Sequence, residues 1–385
     1  TLDFDCMPDQ RRRAEAEVPD ADGITFGASF TLGGERLAGR LAAGLALNVP
    51  TSSLLSGQAL DPGTPQWVMY QALPRRLVAA LSVGARPFDW LLVGAGMQIM
   101  AGVTGRLGYE LDVVVGQFTQ KSVTFDIQPI AAPIVSAEVR PWSTLRLAFT
   151  WRGAIDAEVD LPVDLLVTDV AQLDVFTQFR VQYAPHRLIA AASYTTDFGL
   201  LLAADFGLAL WSRAPDPSVT SRLDVSGELF EETGFDEALD VPAPGRARTV
   251  DLGYTNVLEL KLGAEQTWGP WVFRGGYALT PTPAPRQTSG TNYIDGTRHT
   301  LSMGAGVTFQ DPVGALANPL SIDVAAALGI IASRRHDKIT PDDPVGGFDA
   351  SGRIWMVSFG FRYAFGESTR PTSLPQGDTP VPEEG

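Results

Sequence analysis

Cysteine is almost absent, with the single residue Cys6 in a chain of 385. One thiol excludes an intrachain disulfide and any thiolate metal cluster built by this chain alone. Histidine is scarce too, with three in all. His186 follows Pro185 near a predicted strand start, His299 opens another strand, and His336 lies in the charged run Arg334-Arg335-His336-Asp337-Lys338. None belongs to a His-Glu-x-x-His zinc pattern or accompanies a Gly-x-Ser-x-Gly elbow, so the sequence carries no signature of an enzyme, a metal site or a cofactor. Cations are short as well: 29 Lys and Arg face 44 Asp and Glu, a formal net charge of -15. That balance opposes a nucleic-acid partner, whose phosphates call for Lys and Arg patches.

Long apolar runs are also missing. The most apolar stretch, Gly199 to Trp211, is interrupted by Asp205, whereas a membrane-spanning helix needs about 20 apolar residues. Yet 45% of the chain is hydrophobic, 39 residues are Gly and the mean hydropathy is +0.05. Tilted strands of about 10 residues can cross a bilayer with that composition, because only every second side chain has to be apolar.

Alternation is what the sequence does contain. From Arg353 to Phe365 the positions Trp355, Val357, Phe359, Phe361, Tyr363 and Phe365 are all large and apolar, while Ile354, Met356, Ser358, Gly360, Arg362 and Ala364 are mixed. A period of two with one bulky aromatic face and one small or polar face predicts a strand of an outer-membrane barrel, with lipid on the first face and a lumen on the second. It also disfavours a soluble β-sandwich, which would bury that face.

Turn signals repeat along the chain. Short turns are expected at Gly33-Gly34-Glu35, Pro87-Phe88-Asp89, Pro141-Trp142-Ser143, Thr196-Asp197-Phe198, Trp268-Gly269-Pro270 and Asp311 to Pro319. Longer polar connections fall at 49–75, 108–129, 160–185, 213–255, 280–297 and 333–352. Short turns on one side and long loops on the other are the plan of an all-β transmembrane barrel of antiparallel strands. Thirteen strands result: 22–32, 37–48, 76–86, 90–107, 130–140, 143–159, 186–195, 199–212, 256–267, 271–280, 298–310, 320–332 and 353–365. Single-chain barrels have even strand numbers, so fourteen are expected. Thr1-Leu2-Asp3-Phe4-Asp5 reads as the outer end of a first strand, and the charged stretch through Arg11, Arg12, Arg13 and Glu15 as the first outer loop. The barrel is assigned to 1–365 and a Pro-, Ser- and acid-rich periplasmic tail, expected to be disordered, to 366–385.

Gly94-Ala95-Gly96 and Gly304-Ala305-Gly306 lie inside alternating strands and open no helix, so they read as packing positions and not as phosphate loops. Asp20-Ala21-Asp22-Gly23 and Asp342-Asp343 lack EF-hand spacing and read as solvated turns, as does the acidic loop 216–240.

Several segments resemble the FadL-type outer-membrane transporters of long-chain fatty acids and aromatic hydrocarbons. The core of the likeness is LELKLGAEQTWGPWVFRGGYALTPTPAP: a strand with Leu262 to Glu265, a turn at Trp268, a return through Arg274 to Tyr277, and a Pro-containing loop at Pro281 to Pro285. Leu145 to Gly153, Ala203 to Asp216 and Arg298 to Val307 are similar to it as well. The resemblance implies a fourteen-stranded barrel with a lumen closed by an N-terminal hatch, passive capture of hydrophobic molecules at the outer loops, and lateral release into the bilayer. No stretch ahead of the first complete strand reads as that hatch. The implied partners are fatty acids, hydrocarbons or detergent, with outer-membrane lipid and lipopolysaccharide around the barrel. A general diffusion porin or a structural barrel is the alternative.

Candidate site residues follow from chemistry and strand parity. A fatty acid's carboxylate calls for a cation, and Arg offers paired donors to it. If Leu145, Leu147, Phe149 and Trp151 face lipid, Arg146 and Arg152 face the lumen; the same logic turns Lys261 and Arg274 inward. Arg152 and Lys261 rank first. The competing role for all four is pairing with lumenal acids such as Glu138, Glu259 and Glu265. Phe118, Phe125, Phe176 and Phe179 are loop residues that either pack locally or form a capture groove. Asn48-Val49-Pro50 ends an early strand. Pro50 lacks a ladder donor, so it either weakens pairing at a lateral gate or simply begins a loop.

Overall fold

A computed structural model describes residues 2–5, 11–14, 22–32, 39–51, 65–67, 69–70, 77–112, 117–167, 171–215, 220–226, 252–289, 291–310, 318–339 and 345–365. Large apolar residues at every second position need one face kept from water, and the chain presents that face on the outside of one continuous antiparallel meander. Its wall strands are β1 (Gly23–Leu32), β2 (Leu41–Pro50), β3 (Val78–Phe88), β4 (Leu91–Asp112), β5 (Gln117–Trp142), β6 (Leu145–Arg152) and β7 (Arg187–Thr195). They continue as β8 (Leu200–Ala209), β9 (Val257–Trp268), β10 (Trp271–Thr280), β11 (Arg298–Phe309), β12 (Leu320–His336) and β13 (Phe348–Tyr363). Each pairs with the next in sequence. Among the described residues no ladder joins β1 to β13. Leu2–Asp5 instead pairs with the outer end of β13, Leu2 opposite Ala350 and Phe4 opposite Phe348.

The outward face is the one the alternation picked out. Phe26, Phe30, Phe149, Phe206, Met303, Trp355, Phe359 and Phe361 are all more than half exposed, forming an apolar belt that lipid must cover. On β12 and β13 the belt stops at Ile330 and Trp355; beyond them the outward positions turn polar, at Ser333 and Arg335 and at Arg353, Ser351 and Asp349. Short turns close one end. Asp89–Trp90, Ser143–Thr144 and Gly269–Pro270 each connect neighbouring strands, and Gly269 takes φ +57°, a conformation that favours glycine. Aromatics ring this end, with Phe88 stacked on Trp90 at 5.5 Å and Trp142, Phe198 and Trp268 exposed. Gly33-Gly34-Glu35 and most of Asp311 to Pro319 lie outside the described residues, as do Asp342-Asp343, 366–385 and most of the acidic loop.

Several expected loops are strands. β4 reaches Asp112 and β5 begins at Gln117, so 108–129 is mostly a hairpin extension. Within 160–185, Ile155–Val167 and Ala171–Ala184 form a second hairpin. Its first strand pairs in parallel with β4, Val163 opposite Leu107, and its second pairs with Thr220–Ser226 from the next long connection. β12 and β13 likewise extend into 333–352, to His336 and from Phe348. Arg11–Ala14, expected as loop, pairs with Leu2–Asp5 as a strand. In all these places the ladder stands above the belt, where no lipid demands bulky apolar residues on one face, so the polar composition reads as loop although the backbone still pairs.

The expected strand 143–159 breaks in two at Gly153. Its N–H donates to Pro133 O at 2.8 Å, and a Cβ there would sit 2.6 Å from the Pro133 ring, so only glycine lets the chain leave the wall at this point. Ile155 then packs over Met100 and Ala132, with Ile130 alongside, which lays the second hairpin against the barrel wall.

Candidate functional site

Register fixes which charged residues share the lumen. Leu147 and Phe149 face outward, so Arg146 and Arg152 on β6 face in, and Arg152 lies opposite Arg187 of β7. Asp205 of β8 lies opposite Lys261 of β9, and Glu265 of β9 opposite Arg274 of β10. Small residues fill much of the remaining inner face between β8 and β12: Ala203, Gly263, Gly276, Ser302, Gly304 and Ala325. They floor a cavity of about 480 Å³. Lys261 stands at its outer end. At its inner end Arg274 Nε donates to Glu265 Oε2 at 2.6 Å and Nη1 to Asp323 Oδ1 at 2.5 Å.

The four predicted cations therefore differ. Arg274 is held by two carboxylates, and its charge is compensated within the wall. Arg146, Arg152 and Lys261 are exposed to the lumen, and no ion pair joins them to any acid among the described residues. Glu138 and Glu259, the other acids considered as partners, are taken by Arg140 at 2.6 Å and Arg187 at 3.1 Å. Only Lys261 and Arg274 line the cavity.

The four predicted phenylalanines are strand residues. Phe118 and Phe125 are on β5, opposite Leu111 and Gly105, and Phe176 and Phe179 are opposite Pro162 and Val159 in the second hairpin. Parallel pairing of that hairpin with β4 puts all four in one outer sheet. Asn48 Nδ2 donates to Thr25 Oγ1 at 2.8 Å, and Pro50 is still in register with Gly23 of β1. On the other side the ladder to β3 stops at Asn48 opposite Val78, two residues short of Pro50. Pro50 is thus the last residue of its strand and, among the described residues, is paired on one side only.

Sequence reasoning missed the mouth. Loop 281–297 folds across it, and Tyr293–Ile294 pairs in parallel with Gln66–Trp67 from another long loop. Trp67, Tyr70, Ile294, Ile331, Phe348 and Ala350 form a buried core there, while Trp211 sits between Tyr183 and Tyr254, both at 5.9 Å, in a neighbouring one. Loops have no period to read; the only available signal was large aromatics in otherwise polar stretches. Buried polar groups stitch the cap together. Burial pushes the Asp295 carboxyl above its ordinary range, against the opposing pull of the Thr282 hydroxyl, the Gly296 N–H, Arg298 and Arg334. Burial, and then Asp295, also raise the phenol of Tyr70, over which Arg298 lies at 6.0 Å. His336, in the polar extension of β12 above the belt, is pushed down to about 4 by burial first and then by Arg334, Lys338 and Arg286, with Asp349 pulling the other way.

No protein-family model matches the chain, and no curated protein matches it in sequence. Among solved structures, a Pseudomonas aeruginosa FadL homologue superimposes with a TM-score of 0.53 over 88% of this chain and 76% of that one, at 16% identity. The chain has the FadL-type barrel fold. Two further FadL-like matches are the P. putida toluene transporter TodX, at TM-score 0.47 and 12% identity over 88% of this chain and 81% of that one, and the CymD monoaromatic hydrocarbon channel, at 0.45 and 16% over 87% and 81%. On this FadL-type barrel the cavity floored by Gly263 and Gly304 lies in the inner wall, and the aromatic cap lies over its outer end.

Proposed function

We propose that the protein is a passive, non-enzymatic outer-membrane channel for hydrophobic small molecules. The observation that carries this reading is the inner-wall cavity: a floor of Gly, Ala and Ser that leaves room for a ligand, with Lys261, opposite Asp205 but in no ion pair among the described residues, at its outer end. Pockets for small molecules are mostly apolar with a few placed polar groups, and this one has that character. The FadL-type fold supports the same class. Arg152 and Arg146 add lumenal cations with no ion pair among the described residues, and the outer sheet bearing Phe118, Phe125, Phe176 and Phe179 offers the first contact for a ligand. Release goes sideways at the outer end of β2, where among the described residues the ladder to β3 ends two residues short of Pro50, so that the ligand enters the bilayer without crossing water.

The cation makes an amphiphile with a carboxylate a better ligand than a neutral hydrocarbon of the same size. Lys261→Met should therefore weaken binding of a fluorescent acyl carboxylate about tenfold or more, since a hydrogen bond to a charged group contributes about 1.5–3 kcal/mol. Binding of a neutral aromatic probe should stay unchanged. Titration of both probes against the detergent-solubilised barrel measures this. Equal losses for both would remove Lys261 from the ligand site; no binding of either probe by the unaltered protein would favour a water-filled porin.

A further inference from the structure

Besides its pairing with Gln66–Trp67 and the Thr255 N–H to Pro283 O, the mouth cap is fastened by one short stretch of β12 and the residues just beyond it. Arg334 Nη1 donates to Ala284 O at 2.7 Å, and Lys338 Nζ donates to Ser289 O at 2.5 Å and to Asn292 Oδ1 at 2.6 Å. Ile339 N–H reaches Thr288 O at 3.0 Å. Between them the Gln287 N–H donates to His336 Nδ1 at 3.0 Å. Gln287 in turn accepts the Tyr293 N–H through its Oε1 at 3.2 Å, which holds the part of the loop that pairs with Gln66–Trp67.

That geometry fixes the state of the ring. A nitrogen that accepts from an N–H carries no proton, so His336 is the neutral tautomer with its proton on Nε2. Nε2 is fully buried and has no hydrogen-bond partner among the described residues, and the ring stacks on Phe348 at 4.8 Å with no exposure of its own. We propose that His336 is an acid-sensitive latch: its protonation releases loop 281–297 and opens the barrel mouth. A second proton would place Nδ1–H against the Gln287 N–H, donor facing donor. It would also add a cation to a site already facing Arg334 and Lys338 from its own element and Arg286 from the loop. The acids nearby offer little relief. Asp349 of β13 is paired with Arg335 at 3.2 Å, Asp337 with the same Arg335 at 2.8 Å, and Asp295 is buried with Arg298 and Arg334 nearby. Arg298 itself lies over Tyr70.

The direction of the effect follows from linkage. The closed cap holds the imidazole well below its ordinary range, so the open form binds the proton first. The cap is fully stable above about pH 6.5 and loses stability as the pH falls toward about 4. Hydrogen exchange on the full protein in detergent tests this. Protection of the segment 281–297 should fall roughly tenfold or more between about pH 7 and pH 5, after correction for intrinsic exchange rates. His336→Gln keeps an acceptor for the Gln287 N–H but does not titrate, and should hold the same protection at both pH values. A pH-independent loop in the unaltered protein, or an undiminished pH effect in His336→Gln, would overturn the proposal. Should that variant fail to insert, the unaltered protein still decides: with three histidines in the chain, isotope-labelled imidazole signals report His336 directly. Protonation of His336 with Gln287 still protected would overturn the latch; loss of protection at the same pH would support it.

Discussion

Phe348→Ala should detach the mouth cap and leave the barrel standing. Phe348 has no solvent exposure, stacks on His336, lies 6.0 Å from the Lys338 ammonium, and packs with Trp67, Tyr70, Ile294, Ile331 and Ala350. Phe to Ala in such a core costs about 3–5 kcal/mol. The loss falls on the cap because that core is built from two loops and the outer ends of β12 and β13. The wall below is held by its own ladders: Leu320 to Ile331 on β12 pairs without interruption with Gly352 to Tyr363 on β13. The expected result is rapid proteolysis of loop 281–297, raised ion conductance in planar bilayers, and unchanged heat-modifiability of the barrel on a gel. A variant with a protected loop and a melted barrel would show that the cap is part of the wall's stability and not a separate closure.

Gly263→Trp should abolish ligand occupancy of the lumen without unfolding the protein. Gly263 lines the cavity between Lys261 and Glu265, and a Cβ added to it would meet nothing nearer than Gly275 O at 4.0 Å. The wall therefore tolerates a side chain there, and the indole extends into the space a ligand would use. Overpacking, which costs about 1–3 kcal/mol in a filled core, is small where the space is empty. Binding of an acyl carboxylate and of a neutral aromatic should both fall at least tenfold, because the change removes volume and not charge. Lys261→Met, by contrast, separates the two ligand classes. Binding unaffected by Gly263→Trp would place the ligand elsewhere in the barrel.

The parts of this molecule that face lipid were legible in the sequence, and those that face each other above the membrane were not. On β13 the run Trp355 to Tyr363 shows its outward face because lipid demands bulk at every second position; the same strand from Phe348 to Ser351 carries no such demand and reads as loop. Ile155–Val167 alternates acids with aliphatics, Asp156, Glu158, Asp160 and Asp164 among them, and looks like surface. Its partner strands supply the reason it is ordered: Ala171–Ala184 follows it directly, but Leu107, opposite Val163, lies far back in the sequence. Parity puts Arg152, Lys261 and Arg274 on the inner face, since inward direction follows from the outward residues beside them. It could not say which cation was already paired. Arg274 meets Asp323 only because β10, β11 and β12 lie side by side, a fact of three-strand register that no single strand encodes. The mouth was least visible: Trp67 and Ile294 are brought together by two irregular loops with no periodic signal.

Flux through the barrel tests the central reading most directly. The protein would be placed in the outer membrane of cells lacking their own hydrophobic-compound channels, and entry of a hydrophobic probe compared with entry of a small sugar. A passive hydrophobic channel gives faster entry of the hydrophobic probe, abolished by Gly263→Trp, with no gain for the sugar while the cap is closed. Sugar entry that rises with no change for the hydrophobic probe would contradict it and identify a diffusion porin.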